Sequence, residues 1–339
     1  MFTYKDFIDQ VYDYQLSDNG VFYISKKDEI IHYTNGQREL ILLLRSSCQL
    51  LLFKNKLYLS DCNKQLHNCC IDVMSKQIIY DFTANGVDLI DIYGGLESKK
   101  IGLIHINGDY SVYDIEQDKI IFTISAPVSQ VYLFDDYYTF FRSSKSNVLY
   151  NYVESTKLWE LDLSGYGRLK RIFGIVDNVL WLWCEDYYFI GVDVSSGSIK
   201  KVWEVFDGVY ERGRFYFYYP YFDKEEGKVY FFERNSYIEC DLRNYATEIL
   251  WRDKELNENI SGPHFTNDYI YFTSSRLNSV FNDRLGVFDR KKMQIIWKEK
   301  FDLSQGAGFK IPNVVGDFLY VHDTGNTLHI YEKSDTSLS

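Results

Sequence analysis

The sequence predicts an all-β protein assembled from repeated four-stranded units, and three observations carry that expectation. Aromatic residues reach 18%, with 30 Tyr and 24 Phe against only four Pro, and large aromatic side chains pack well on a pleated surface. One hairpin pattern recurs along nearly the whole chain: an alternating apolar strand, a polar turn, and a second strand carrying a large aromatic. Its clearest copy is FIGVDVSSGSIKKVWEV at 189–205, with period two on both arms and turn chemistry between them. Successive copies lie 38 to 48 residues apart, which is repeat behaviour.

Taking the last residue before each turn as an anchor orders the units. The anchors are Thr34, Asp72, Asp114, Tyr152, Asp193, Asp241, Asp289 and Glu332. Asp at a turn entrance can accept backbone N–H bonds inside the turn. Seven to ten residues after six of the anchors stands a large aromatic: Tyr80, Phe122, Trp159, Trp203, Trp251 and Trp297. These are expected to pack between neighbouring units rather than to hold a ligand. Between anchors the chain divides into further short strands, as in KIIFTI, VSQVYLF, YYTFFRS and NVLYNYV after Asp114. Four strands in about 40 residues describe one blade of a β-propeller. Only FTYKDFIDQVYDY at 2–14 leaves helix and strand both open.

The ends of the chain complement each other. After Glu332 only KSDTSLS remains, so the last unit lacks its aromatic-bearing outer strand. Residues 1–8 are expected to supply it and to close the ring, leaving 334–339 as a tail. The expectation is a single closed propeller domain over 1–339. Eight blades are preferred; seven follow if HYTNGQREL at 32–40 is a false member. The hairpins resemble PQQ-like repeats of the quinoprotein-like propellers, most clearly in GVDVSSGSIKKVW and LGVFDRKKMQIIW. That resemblance implies a propeller and carries no activity with it.

Charge narrows the partners. A formal net charge of −11 repels phosphate backbones, so neither nucleic acid nor an anionic membrane is an expected partner. The first residues show no basic segment followed by an apolar core, and the most apolar stretch, 40–53, is broken by Arg45, Ser46, Ser47 and Gln49. A cytoplasmic location is expected. An envelope assembly scaffold, a role of some PQQ-like propellers, would need an export signal.

Catalytic signatures are missing from the sequence. The six histidines, at 32, 67, 105, 264, 322 and 329, have no metal-ligand spacing, and there is no nucleophile elbow. Gly94-Gly95 and Gly165-Tyr166-Gly167 lack the strand-to-helix setting of a phosphate loop. Carboxylate pairs such as Asp135-Asp136 and Glu185-Asp186 are expected to be solvated. The six cysteines fit neither a disulfide framework nor a CxxC site. The resemblance brings to mind the vicinal disulfide of quinone-dependent dehydrogenases for Cys69 and Cys70, but no calcium site accompanies the pair, so no cofactor and no metal are expected.

Loop length points elsewhere. The connections after the anchors at 193, 241 and 289 lengthen, and extra loop residues gathered on one face mark binding surfaces. The expected partner-binding residues are Tyr210, Arg212 and Arg214, then Asp253, Glu255 and Glu258, then Arg276, Phe281 and Arg284. His264, at an inner strand, is a further candidate. Tyr210 and Phe281 would be apolar anchors, and the acidic trio would steer a basic partner. The expected function is a non-catalytic protein–protein interaction module, of the inhibitor or immunity type, monomeric by itself. The alternative is an enzyme or small-ligand binder using the central channel.

Overall fold

The computed structural model describes residues 2–17, 20–27, 29–43, 48–61, 68–91, 100–125, 128–134, 138–143, 148–153, 156–185, 188–207, 219–277, 279, 281–303 and 306–334. Among them, 32 strands form eight four-stranded sheets, and the only helical elements are two 3-10 turns, Thr83–Asn85 and Ser164–Tyr166. The protein is a β-propeller of four-stranded blades. In chain order the sheets are blade 1 (11–43), blade 2 (48–81), blade 3 (87–124), blade 4 (128–162), blade 5 (169–204), blade 6 (221–252), blade 7 (258–300) and blade 8 (313–333). HYTNGQREL is a true member: Thr34 ends one strand, Asn35 and Gly36 turn with φ of 49° and 80°, and Gln37–Leu43 returns.

Blade 8 has three strands of its own. Its fourth is Phe2–Ile8, antiparallel to Leu328–Lys333, with Phe2 opposite Lys333 and Ile8 opposite Leu328. The two ends of the chain thus share one sheet. Phe2 and Ile8 are buried while the residues between them face outward or are half-buried, which resolves 2–14 as strand rather than helix.

The chain groups into two compact units. One, residues 12–203, contains blades 1 to 5. Its core is a series of apolar layers between successive blades. Phe22, Ile24 and Ile30 of blade 1 meet Leu57, Leu59 and Ile71 of blade 2. Tyr58 and Cys70 then meet Ile101, Leu103 and Tyr113 of blade 3. The other unit, residues 1–11 and 204–339, contains blades 6 to 8. Its layers are aromatic-rich, with Phe232 and Tyr237 against Phe272 and Phe288, and Tyr271 against Phe2 and Tyr331.

The anchors act as the turn chemistry requires. Asp72 accepts the Ser75 N–H at 2.7 Å, Asp114 those of Glu116 and Gln117, Asp193 those of Ser195 and Ser196, Asp241 those of Arg243 and Asn244, and Asp289 those of Lys291 and Lys292. The Ser195 hydroxyl, then Ser196, hold the Asp193 carboxyl well below the usual carboxylate range. Four residues after each of these anchors the backbone is left-handed, at Lys76, Asp118, Gly197, Tyr245 and Met293. Only blade 5 uses glycine there.

Five outer strands then carry a bulge just before their aromatic. The extra residue is Ile79, Ile121, Leu158, Leu250 or Ile296 in blades 2, 3, 4, 6 and 7. Bulges disrupt the ladder and blunt a sheet edge against foreign strands. Three of the tryptophans reach the next blade, as expected, while Trp203 lies 5.7 Å from Phe189 of its own blade. Trp159 Nε1 donates to the Val194 carbonyl at 2.7 Å, Trp251 lies 5.1 Å from Phe288, and Trp297 lies 6.0 Å from Phe2.

Cys69 and Cys70 are free and buried. Neighbours along a strand point to opposite faces, so Cys69 joins the layer between blades 1 and 2 and Cys70 the layer between blades 2 and 3. Burial pushes their thiols up to about 12 and about 11, far from reactive thiolates.

Candidate interaction surface

One end of the three-blade unit carries the link 253–257, the loop 277–283 and the segment 301–312. Within blade 7 the register fixes this end, because Glu258 pairs with Arg276 at it while Phe265 pairs with Ile270 at the other. Tyr210, Arg212 and Arg214 lie outside the described residues.

The link is a pinned turn. Asp253 accepts the N–H groups of Glu255 and Leu256 at 2.9 and 3.0 Å, and its own N–H donates to the Asn235 carbonyl. The Asn235 amide in turn donates to the Leu256 carbonyl at 2.8 Å. Asp253 is therefore a turn residue first and a surface charge second, and Glu255 is the exposed carboxylate of the pair.

Glu258 and Arg284 are engaged with one another. Arg284 Nε lies 3.2 Å from Glu258 Oε1, which also takes Lys298 Nζ at 3.1 Å, while the Ser274 hydroxyl donates to Oε2 at 3.0 Å. Arg284 also reaches Asp283 at 2.6 Å. The Arg284 and Glu258 side chains are only 9% and 14% exposed, so their charges are held largely by one another where the strands flanking the 277–283 loop end.

Above these charges the described loop residues are hydrogen-bonded to their neighbours. The Ser279 N–H donates to the Arg276 carbonyl, and the Phe281 N–H donates to the Ser279 hydroxyl. Phe309 N–H donates to the Asn282 carbonyl at 2.8 Å. Gly308 lies so close that a Cβ there would come within 3.2 Å of Phe281 Cα. On this support Phe281 and Leu277 stand 43% and 48% exposed, with Arg276 exposed beside them. Leu277 escaped the sequence reading; its only signal is an apolar residue inside a polar loop.

The structure separates His264 from these residues. It lies at the far end of its strand, half-buried, its ring tilted 6.3 Å from Tyr271, and burial lowers its pKa. That end is occupied structurally as well. Arg290 donates to the Tyr237 hydroxyl at 2.9 Å and lies 5.0 Å over the Tyr230 ring, and Tyr230 donates to Glu226.

Other sequence candidates resolve into structural roles. Gly167, at φ 77°, leaves room for the Glu185 carboxylate, which accepts the Arg168 N–H at 2.5 Å. Asp135, Asp136 and Asp186, with Gly94 and Gly95, lie outside the described residues. Among the described residues, no group of three or more His, Cys, Asp or Glu side chains could hold a metal ion. Among them, too, no helix is long and apolar enough to cross a membrane.

These features define a β-propeller whose most prominent chemistry is packing and turn capping. No protein-family model matches the chain, and no curated protein matches it. Solved structures match over nearly the whole length. BamB from Moraxella catarrhalis is 12% identical, with a TM-score of 0.58 and 100% of each chain covered. The carboxy-terminal WD40 domain of Sif2 is 10% identical, with a TM-score of 0.64 over 98% of this chain and 99% of that one. Sqt1 of Saccharomyces cerevisiae is 10% identical, with a TM-score of 0.61 over 98% of each. At these identities the likeness is one of fold. The resemblance to PQQ-like propellers holds at that level, BamB being such a propeller.

Proposed function

We propose that the protein is a protein-interaction module that docks a partner on the end of the three-blade unit formed by 253–257, 276–284 and 306–309. The observation that carries this reading is the pair Leu277 and Phe281. Both stand exposed, Phe281 on backbone hydrogen bonds among its described neighbours, while the charges beneath are paired internally. A side chain on a held backbone loses little entropy on binding, and aromatic side chains with a flanking Arg supply contact area with a polar handle. The net charge of −11 favours a basic protein, with Glu255 the exposed acidic member of the expected trio. A cytoplasmic role of inhibitor or immunity type accords with that chemistry.

The test is capture of a stoichiometric partner by the full chain, followed by titration of variants against that partner. Leu277→Ala with Phe281→Ala should weaken binding by about 2 kcal/mol or more, and Glu255→Lys should slow association most at low salt. A partner bound equally well by all three proteins would place docking elsewhere. A small molecule that co-purifies with the chain in the absence of any protein would favour the ligand-binding alternative.

A further inference from the structure

Four Asn-Gly steps stand in the chain, at 19–20, 35–36, 85–86 and 107–108. Asn19 lies outside the described residues. Asparagine is a thermolabile residue, and it is most labile before glycine. The following backbone nitrogen can attack the side-chain carbonyl carbon, and glycine puts no Cβ in the way. Asn35, Asn85 and Asn107 are all exposed, and a Cβ added at Gly36, Gly86 or Gly108 would meet nothing within 4 Å. Exposure and space therefore do not choose among the three.

Hydrogen bonds do. The attack needs a backbone N–H that can turn towards Cγ and give up its proton, and a side-chain amide that is free to leave. The Gly86 N–H donates to the Thr83 carbonyl at 3.0 Å, and the Asn85 amide donates to the Asp81 carbonyl at 2.8 Å. The Gly108 N–H donates to the His105 carbonyl at 2.9 Å. Asp109 holds the Asn107 side chain twice: the amide donates to its carboxylate at 2.7 Å, and the amide oxygen accepts its N–H at 3.0 Å. At the hairpin tip of blade 1 the strands pair as far as Thr34 opposite Gln37. Beyond that pair, neither the Asn35 amide nor the Gly36 N–H makes a hydrogen bond with a described residue.

We propose that Asn35 is a site of spontaneous deamidation, preferred by the fold over Asn85 and Asn107. The Gly36 nitrogen bonds to Asn35 Cγ, the Cγ–Nδ2 bond breaks, and ammonia leaves with the proton of the Gly36 N–H. Water then opens the cyclic imide at either carbonyl to leave an aspartyl or an isoaspartyl residue, and nothing is oxidised or reduced. Both products add a negative charge to a chain that already carries −11. The aspartyl form suits the same two-residue turn, where Asp-Gly is favoured as Asn-Gly is. The isoaspartyl form lengthens the backbone by a methylene beside the Thr34–Gln37 pair and so loosens the outer strand of blade 1. The site is separate from the docking end of the three-blade unit.

Timed incubation of the folded full chain at mildly alkaline pH, followed by tryptic digestion and mass spectrometry, tests this. Cleavage after lysine and arginine places the three steps in separate peptides, 28–38, 77–99 and 101–119. Asn35 should convert at least about tenfold faster than Asn85 or Asn107, each of which must first break its hydrogen bonds. In urea the three rates should converge, because the fold and not the dipeptide makes the choice. Asn35→Gly keeps a turn that Gly-Gly also forms and should abolish the conversion within 28–38. A folded chain in which Asn35 converts no faster than the other two would overturn the proposal. So would a preference for Asn35 that survives unfolding undiminished, or a conversion of 28–38 that Asn35→Gly leaves in place.

Discussion

Two segments of this chain share a sequence and differ in fate. Gln77-Ile78-Ile79-Tyr80 of blade 2 and Gln294-Ile295-Ile296-Trp297 of blade 7 follow an anchor Asp by the same interval and carry the same bulge. Yet Ile78 and Ile79 are exposed, while Ile295 and Ile296 pack against core layers. The turns differ as well. At its left-handed position blade 7 places Met293, which packs on the layer that also takes Trp251 and Ile295, and it leaves Lys291 at the tip. Blade 2 exchanges the two residue types: Met74 stands at the tip, and Lys76 takes the left-handed position and leaves for Glu39. One turn residue outside the strand thus accompanies the difference in cover, and exchanging it tests whether it governs that cover.

Blade 5 puts a third occupant in that position and gives the largest expected effect. Gly197 has φ of 72°, and a Cβ there would come within 2.7 Å of the Trp159 ring. Trp159 Nε1 and the Asn151 amide both donate to the Val194 carbonyl in the same turn. Gly197→Ala must strain the backbone and push Trp159 off its acceptor, at a cost of about 3 kcal/mol. Lys76→Gly, at the equivalent turn, should shift stability by less than about 1 kcal/mol. Thermal melts of the two variants that move together would break the idea that each blade uses this position differently.

The units also differ in where they keep titratable groups. Blades 2 and 3 leave Lys54 and Glu116 in solvent at 3.5 Å, where such a pair contributes little. Blade 8 buries His322, whose Nε2 donates to the Val11 carbonyl at 2.9 Å while Nδ1 accepts from Lys310 at 3.1 Å. Burial first, then the Lys310 charge, push its pKa from 6.5 down to about 4. The folded state therefore holds the neutral ring. Below pH 6.5 the unfolded chain takes up a proton that the folded chain refuses, so stability falls with pH until about pH 4 and the contribution is then fully lost. The loss over that window is about 3 kcal/mol. His322→Gln should flatten the dependence of melting temperature on pH across it; equal slopes in the two proteins would refute the assignment.

The anchors, the aromatic positions and the eighth unit were legible in the sequence because each rests on local chemistry. Asp72 or Asp193 caps its own turn, and an aromatic at fixed spacing needs only the repeat to be recognised. The left-handed positions were hidden, since Lys76, Asp118, Tyr245 and Met293 carry no glycine signal. At the candidate surface, loop length located Phe281 and Arg276, but side-chain destinations did not follow from it. Glu258, expected to steer a partner, is also held by Ser274, Arg284 and Lys298, residues 16 to 40 positions away. His264 was expected at the start of an inner strand, but the strand starts at Glu258 and a register shift between Ser261 and His264 lies on the way to the end that His264 occupies. Such pairings depend on which strands meet, which no local pattern encodes.

The smallest expected effect tests the opening comparison directly, by exchanging the two turns' residues. Met293→Lys replaces an apolar side chain packed on the core layer that also takes Ile295 and Trp251 with one that must extend its charge to solvent, removing cover of about one side chain at a cost of about 1–2 kcal/mol. Lys76→Met gives up a surface ion pair with Glu39, which contributes little in solvent, and should place over Ile78 the cover that blade 7 has. Its net change should lie within about 0.5 kcal/mol, yet it should slow amide exchange at Ile78 and Ile79 as the outer strand gains protection. If the turn residue governs the strand, the two substitutions move exchange in opposite directions, faster at Ile295 and slower at Ile78. Were Ile78 to stay equally labile with Met at 76, the difference would lie in the aromatic partners, Tyr80 against Trp297, and Tyr80→Trp would then be the substitution that buries the blade 2 edge.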